Sequence, residues 1–145
     1  MSVDEAVATA AAFRERSGAI RVVILLDLEP TPVMVESTPE SLTVTRDDET
    51  TATTPTAAPK PLHRLTPVPA TAITIDPRTG ELSAPLGTIE HLAKATLDLA
   101  TAFGGRTVAT AEFATRDPEL PITIAARPGE PLLLAAGDRR FVLPT

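Results

Sequence analysis

The chain has 145 residues, 43% of them hydrophobic and 22% charged, with a net charge of −6. That is the length of one domain, with enough apolar residue to build a core. The absence of cysteine excludes disulfides, thiolate metal sites and cysteine nucleophiles, and the acidic balance argues against general affinity for nucleic acid.

With 3% aromatics and no Trp or Tyr, the core must come from Ala, Val, Ile and Leu. No basic region followed by an apolar stretch opens the chain, so no secretory signal is expected. The longest apolar run, Val22 to Leu26, falls far short of the roughly 18 residues of a membrane span. A cytoplasmic protein without a membrane segment is the expectation.

Ser2-Val3-Asp4-Glu5 reads as a capping box, with Ser2 as N-cap and Glu5 as its N3 partner. The helix behind it buries Val3, Ala6, Val7, Ala10 and Phe13, and Gly18 stops it. Residues 19 to 28 are apolar on both faces in the middle, which predicts a central strand covered on both sides. Glu29-Pro30-Thr31-Pro32 ends it, because proline cannot donate to a central ladder. Val33 to Ser37 and Leu42 to Arg46 read as short strands joined by a turn at residues 38 to 41.

Residues 47 to 61 are nearly all Thr, Ala, Pro and charge, without apolar periodicity, and predict a flexible linker. Its deletion should then leave stability nearly intact. The domain thus divides into a first αβββ half over 1–46, the linker over 47–61, and a second half over 62–145. Leu62 to Pro69, with two prolines, predicts an extended edge segment. Thr71 to Ile75 is a strand, residues 76 to 80 a turn, and Glu81 to Ser83 the return.

The strongest signal lies between Leu86 and Phe113. At about 100° per residue, Ile89, Leu92, Ala93, Thr96, Leu99, Ala100 and Phe103 share one face, while Glu90, His91, Lys94, Asp98 and Thr101 lie opposite. Thr88 can cap the start, and Gly104 can take the left-handed conformation that ends such a helix. Thr107 to Phe113 alternates as a strand. Ile122 to Ala126, Leu132 to Ala136 and Arg140 to Leu143 follow, separated by turns at residues 128 to 131 and at Gly137-Asp138.

The halves follow one plan: a helix, a glycine stop and then strands. Pro32-Val33-Met34-Val35 is followed by Pro39, and Pro121-Ile122-Thr123-Ile124 by Pro128, at the same spacing. Two readings remain open, an internal duplication and the general frequency of Pro-bounded short strands in α+β domains. The expected fold class is α+β: two similar helix-plus-strands halves forming a mostly antiparallel sheet, with two helices packed on one face.

The last third, Leu99 to Phe103, then Val108 to Ala111, Pro121 to Ile124 and finally Arg140-Phe141-Val142-Leu143-Pro144, resembles the closing half of one domain of a DNA sliding clamp. Such a domain is built from two β-α-β-β-β halves. The resemblance implies a partner-peptide groove beside the C-terminal tail, bordered here by Leu143, Pro144 and Thr145; a frayed end is the plain alternative. Family rings hold six domains, so this chain would need six copies. Family helices present Lys and Arg to phosphates, whereas here Lys94 faces Glu90 and Asp98, and Arg14 and Arg16 face Asp4, Glu5 and Glu15. DNA encirclement is therefore not expected unless a ring assembles.

Catalytic signals are sparse. No nucleophile elbow, P-loop or dinucleotide fingerprint occurs. His63 and His91 do not make a metal motif, and Asp47-Asp48-Glu49 lacks the spacing of a calcium loop. No cofactor is expected. Asp27 and Glu29 stand at the end of a central strand, where α/β enzymes place acids; ending the strand in water is the simpler role. Three functions compete: a non-enzymatic module that binds a protein or self-associates, an enzyme using acids near Asp27 and Glu29, and a self-assembling structural protein. The first fits the absence of catalytic motifs, and the prolines that flank strands count against open-ended assembly.

Overall fold

A computed structural model describes residues 3–28, 31–61, 74–75, 78, 82–83, 88–114, 121–136 and 139–143. Ser2, Glu29, the segment from Leu62 to Pro69, most of the turn at 76 to 80, Gly137-Asp138, Pro144 and Thr145 lie outside the described residues.

The first helix, α1 (Val3–Ser17), carries Asp4 and Glu5 in its first turn and Arg14 and Arg16 in its last, the arrangement its dipole favours. Gly18 follows at φ +75° and donates to the carbonyl of Arg14 at 3.1 Å. The second helix, α2 (Thr88–Phe103), ends in the same way. Gly104 sits at φ +64° and donates to Ala100 at 3.1 Å. Both are left-handed terminators that a residue with a Cβ adopts only under strain.

Behind α1 run β1 (Arg21–Leu26), β2 (Val33–Ser37), β3 (Leu42–Arg46) and β4 (Glu49–Ala52). A short two-stranded pair, β5 (Thr74–Ile75) and β6 (Leu82–Ser83), forms a separate sheet. Behind α2 run β7 (Val108–Phe113), β8 (Ile122–Ala126), β9 (Leu132–Ala136) and β10 (Arg139–Leu143). The large sheet has the order β10-β9-β8-β7-β1-β2-β3-β4. Every pairing in it is antiparallel.

That order reads the same from either edge: four strands of one half, then four of the other, with β1 and β7 meeting at a central seam. Its register runs from Arg21 opposite Glu112 to Leu25 opposite Val108, so Val23 and Thr110 form its middle pair. The fold is α+β, as the alternation and the two amphipathic segments predict.

Both helices lie on one side of the sheet: α1 packs on β1, β2 and β3, α2 packs on β7 and β8, and the helices touch each other. Alternate strand residues meet them. Val22, Ile24 and Leu26 of β1, Ala109, Ala111 and Phe113 of β7, and Ile122 and Ile124 of β8 are buried together with Phe13 and Leu99. Burying each such large side chain contributes about 1.5–3 kcal/mol, so this layer carries the stability.

Two expectations are corrected. β1 is central but covered on one side only; Arg21 and Leu25 are exposed. Continuous apolar character normally signals two covered faces, yet no described helix lies on the second face. Residues 47 to 61 are not simply a linker either. Asp47 and Asp48 adopt positive φ (49° and 66°), and the loop they form joins Arg46 to its partner Glu49, a two-residue hairpin of the kind that needs left-handed residues at both centres. β4 therefore extends the first half from αβββ to αββββ. It escaped the pattern because every residue of this edge strand is exposed, and a strand without a buried face has no alternation to show. Beyond it, Thr53 still donates to Leu42 at 2.9 Å.

Candidate functional site

Two features of the surface stand out. The first is a cleft of about 490 Å³ at the end of β1, where the chain leaves α2 for β7 and where β8 turns into β9. Leu25 and Val108, partners in the seam, line it with Pro32, Asp27 and Arg106. Arg127 and Glu130 close it from the β8–β9 turn and pair with each other at 3.5 Å. That turn is held by Glu130 N–H donating to Arg127 at 3.1 Å.

Asp27 is thus in a cleft, as an enzymatic reading requires. Among the described residues, however, it makes no hydrogen bond or ion pair, and no histidine or lysine lines the cleft with it. Glu29 lies outside the described residues, and the other acid that lines the cleft, Glu130, pairs with Arg127. Among the described residues no group of three His, Asp or Glu side chains could hold a metal ion.

The second feature is the sheet face away from the helices. One register row crosses all eight strands: Val142 pairs with Leu133, Leu133 with Ala125, and Ala125 with Thr110. The row goes on through Val23 and Glu36 to Thr43 and Ala52. Leu133 is 53% exposed, Val142 64% and, in the next row, Leu25 41%. Among the described residues the strands place Arg21, Glu36, Glu112 and Arg140 on this face, and Arg127 follows Ala125 on it beside the cleft. Arg21 reaches Glu36 Oε2 with Nη2 at 2.7 Å and Nε at 3.1 Å and stands directly opposite Glu112 in the seam.

The helix layer has a different character. Lys94 meets Glu90 at 2.6 Å, one turn away. Hydrogen bonding from Lys94, and then its charge, hold the Glu90 carboxyl below the usual carboxylate range. His91 lies on the polar side of the wheel, yet its Nε2 is closed off and has no hydrogen-bond partner among the described residues. Leu143, expected beside a partner groove, ends β10 opposite Leu132. Pro144 and Thr145, which would complete that groove, lie outside the described residues.

Sequence reasoning missed the open face. Its signal was present in the unbroken apolar runs Val22–Leu26, read as covered on both sides, and Leu132–Leu134, read only as a strand. Among the described residues no helix is long and apolar enough to cross a membrane. No family model, curated protein or solved structure matches the chain.

Proposed function

We propose that this protein is a non-enzymatic protein-interaction module whose working surface is the open face of the large sheet. The observation that carries this reading is the set Leu25, Leu133 and Val142. These large apolar side chains are exposed on one face, in a chain whose helices pack on the other. Scattered exposed apolar residues are ordinary, but Leu133 and Val142 are direct cross-strand partners, and with Leu25 farther along the same face they mark a site of association. The cleft beside Leu25 continues this surface, and Leu25, Pro32, Val108 and Pro128 in its lining suit a partner side chain.

The sliding-clamp resemblance enters at the level of architecture. Two helix-plus-strands halves joined edge to edge support it. The basic residues of the helix layer do not support DNA as ligand, because Lys94 is engaged by Glu90 and the chain is acidic. A protein is the favoured partner.

The test is site-specific photo-crosslinking in the native cell. A crosslinking residue at Thr123 or Leu133 should give a discrete protein adduct, whereas one at Arg16 or Lys94 should not. No adduct from the open face, or equal adducts from both faces, would overturn the proposal.

A further inference from the structure

The geometry points to a second copy of this chain as the occupant of the open face, packed sheet against sheet. This inference rests on the reading of that face as the working surface and adds the identity of the partner.

Charge is the first argument. Counted with the cleft that continues it, the described charged side chains of the face are four of each sign, Arg21, Arg106, Arg127 and Arg140 against Asp27, Glu36, Glu112 and Glu130, with Arg21 bonded to Glu36 and Arg127 to Glu130. The face is therefore neutral on a chain whose net charge is −6. Two copies can bring these faces together without net like-charge repulsion, while a strongly basic or acidic partner would find nothing to match. A two-fold interface must be complementary to itself, and a neutral surface of Thr, Ala and aliphatic side chains, with charges of both signs in equal number, is compatible with that condition.

Area is the second. Eight strands about 4.8 Å apart, each presenting about five residues at about 3.3 Å, make a surface of roughly 630 Å². Two such faces bury about 1,300 Å² in total, inside the range of roughly 1,200–2,000 Å² for specific interfaces. Stacked twisted sheets pack about 10 Å apart and near-aligned, with side chains interleaved, and the small side chains along the central row (Ala125, Thr110 and Val23) permit that approach.

The third argument comes from β1 itself. Its sequence, Val22-Val23-Ile24-Leu25-Leu26, has the composition of a strand covered on both faces. The chain's own helices cover one face only, leaving Leu25 41% exposed. A second copy supplies the missing layer.

The experiment is light scattering coupled to size-exclusion chromatography on the full chain at about 100 μM, well above a micromolar Kd, with two open-face variants, Leu133→Glu and Val142→Lys, and a helix-layer control, Arg16→Glu. All three positions are exposed, so far-UV circular dichroism should show each variant folded. The wild type and Arg16→Glu should elute at twice the 15.2 kDa chain mass. Leu133→Glu and Val142→Lys should elute at the single-chain mass, with dissociation constants raised at least about 1,000-fold, because each would bury two unpaired charges per dimer. A wild type at single-chain mass would overturn the inference, as would a six-copy mass or a dimer that both open-face variants leave intact. A monomer whose open-face crosslinks capture a different protein would overturn the second copy alone, leaving the interaction module in place.

Discussion

The buried hydroxyl of Thr9 joins residues 51 positions apart: it accepts the backbone N–H of Lys60 at 3.0 Å while donating to the Glu5 carbonyl at 2.6 Å. The Lys60 side chain then lies 3.9 Å from Glu5 and 5.4 Å above the Phe103 ring, so one residue touches both helices. Thr9→Val keeps the shape and removes the acceptor. It should cost about 1–3 kcal/mol, because the Lys60 N–H is left without a partner. Urea denaturation gives the loss, and faster hydrogen exchange at the Lys60 amide would locate it. For the same reason, deleting residues 47 to 61 should lower thermal stability, since β4 and this anchor leave together; an unchanged melting temperature would restore the linker reading.

The core prediction is simpler. Leu99 is fully buried between α2 and the sheet. Leu99→Ala should cost about 2–5 kcal/mol, combining lost transfer energy with the cavity left behind. Leu99→Asp should not fold, because it would bury a charge without a partner. Denaturant titration of the first and solubility of the second are the measurements.

Glu90 provides a pH prediction. Its carboxyl is depressed by Lys94, so its contribution to stability is present above the unfolded carboxylate pKa and is lost as pH falls through the folded one. Lys94→Ala should return the Glu90 pKa upward toward its ordinary value. The stability gap between wild type and variant should be open at neutral pH and close on acidification. It should also shrink with salt, since the pair is exposed. Titration of the Glu90 carboxyl by NMR checks the sign directly.

The hairpin at Asp47-Asp48 is a site for gain. Both residues hold left-handed backbone, which asparagine and glycine adopt at less cost. The double substitution Asp47→Asn, Asp48→Gly should raise the melting temperature, with a gain on the order of 1 kcal/mol. A fall would show that the acidic side chains, not the backbone, hold this turn.

Elements with a buried face were legible in the sequence. The stripe from Ile89 to Phe103 located α2, glycines 18 and 104 located both helix ends, and prolines 32, 121 and 131 marked where strands begin. β4 was not legible, because Glu49 to Ala52 has no face in the core to impose a period of two. The one-sided cover of β1 was not legible either, since Val23 and Leu25 have the same apolar character whether a layer lies over them or not. The candidate site suffered most. Its residues, from Leu25 to Val142, are scattered along the chain and become a surface only through the register of eight strands.

The seam between β1 and β7 also fixes the order of events in folding. Each half's hairpins close over short turns, whereas pairing Leu25 with Val108 must close nearly all the chain between the halves, and closure entropy grows by about 0.6 kcal/mol with each doubling of that loop. Assembly should therefore run from the two edges inward, with each αββββ unit collapsing on its own helix and the centre of the finished sheet zipping last.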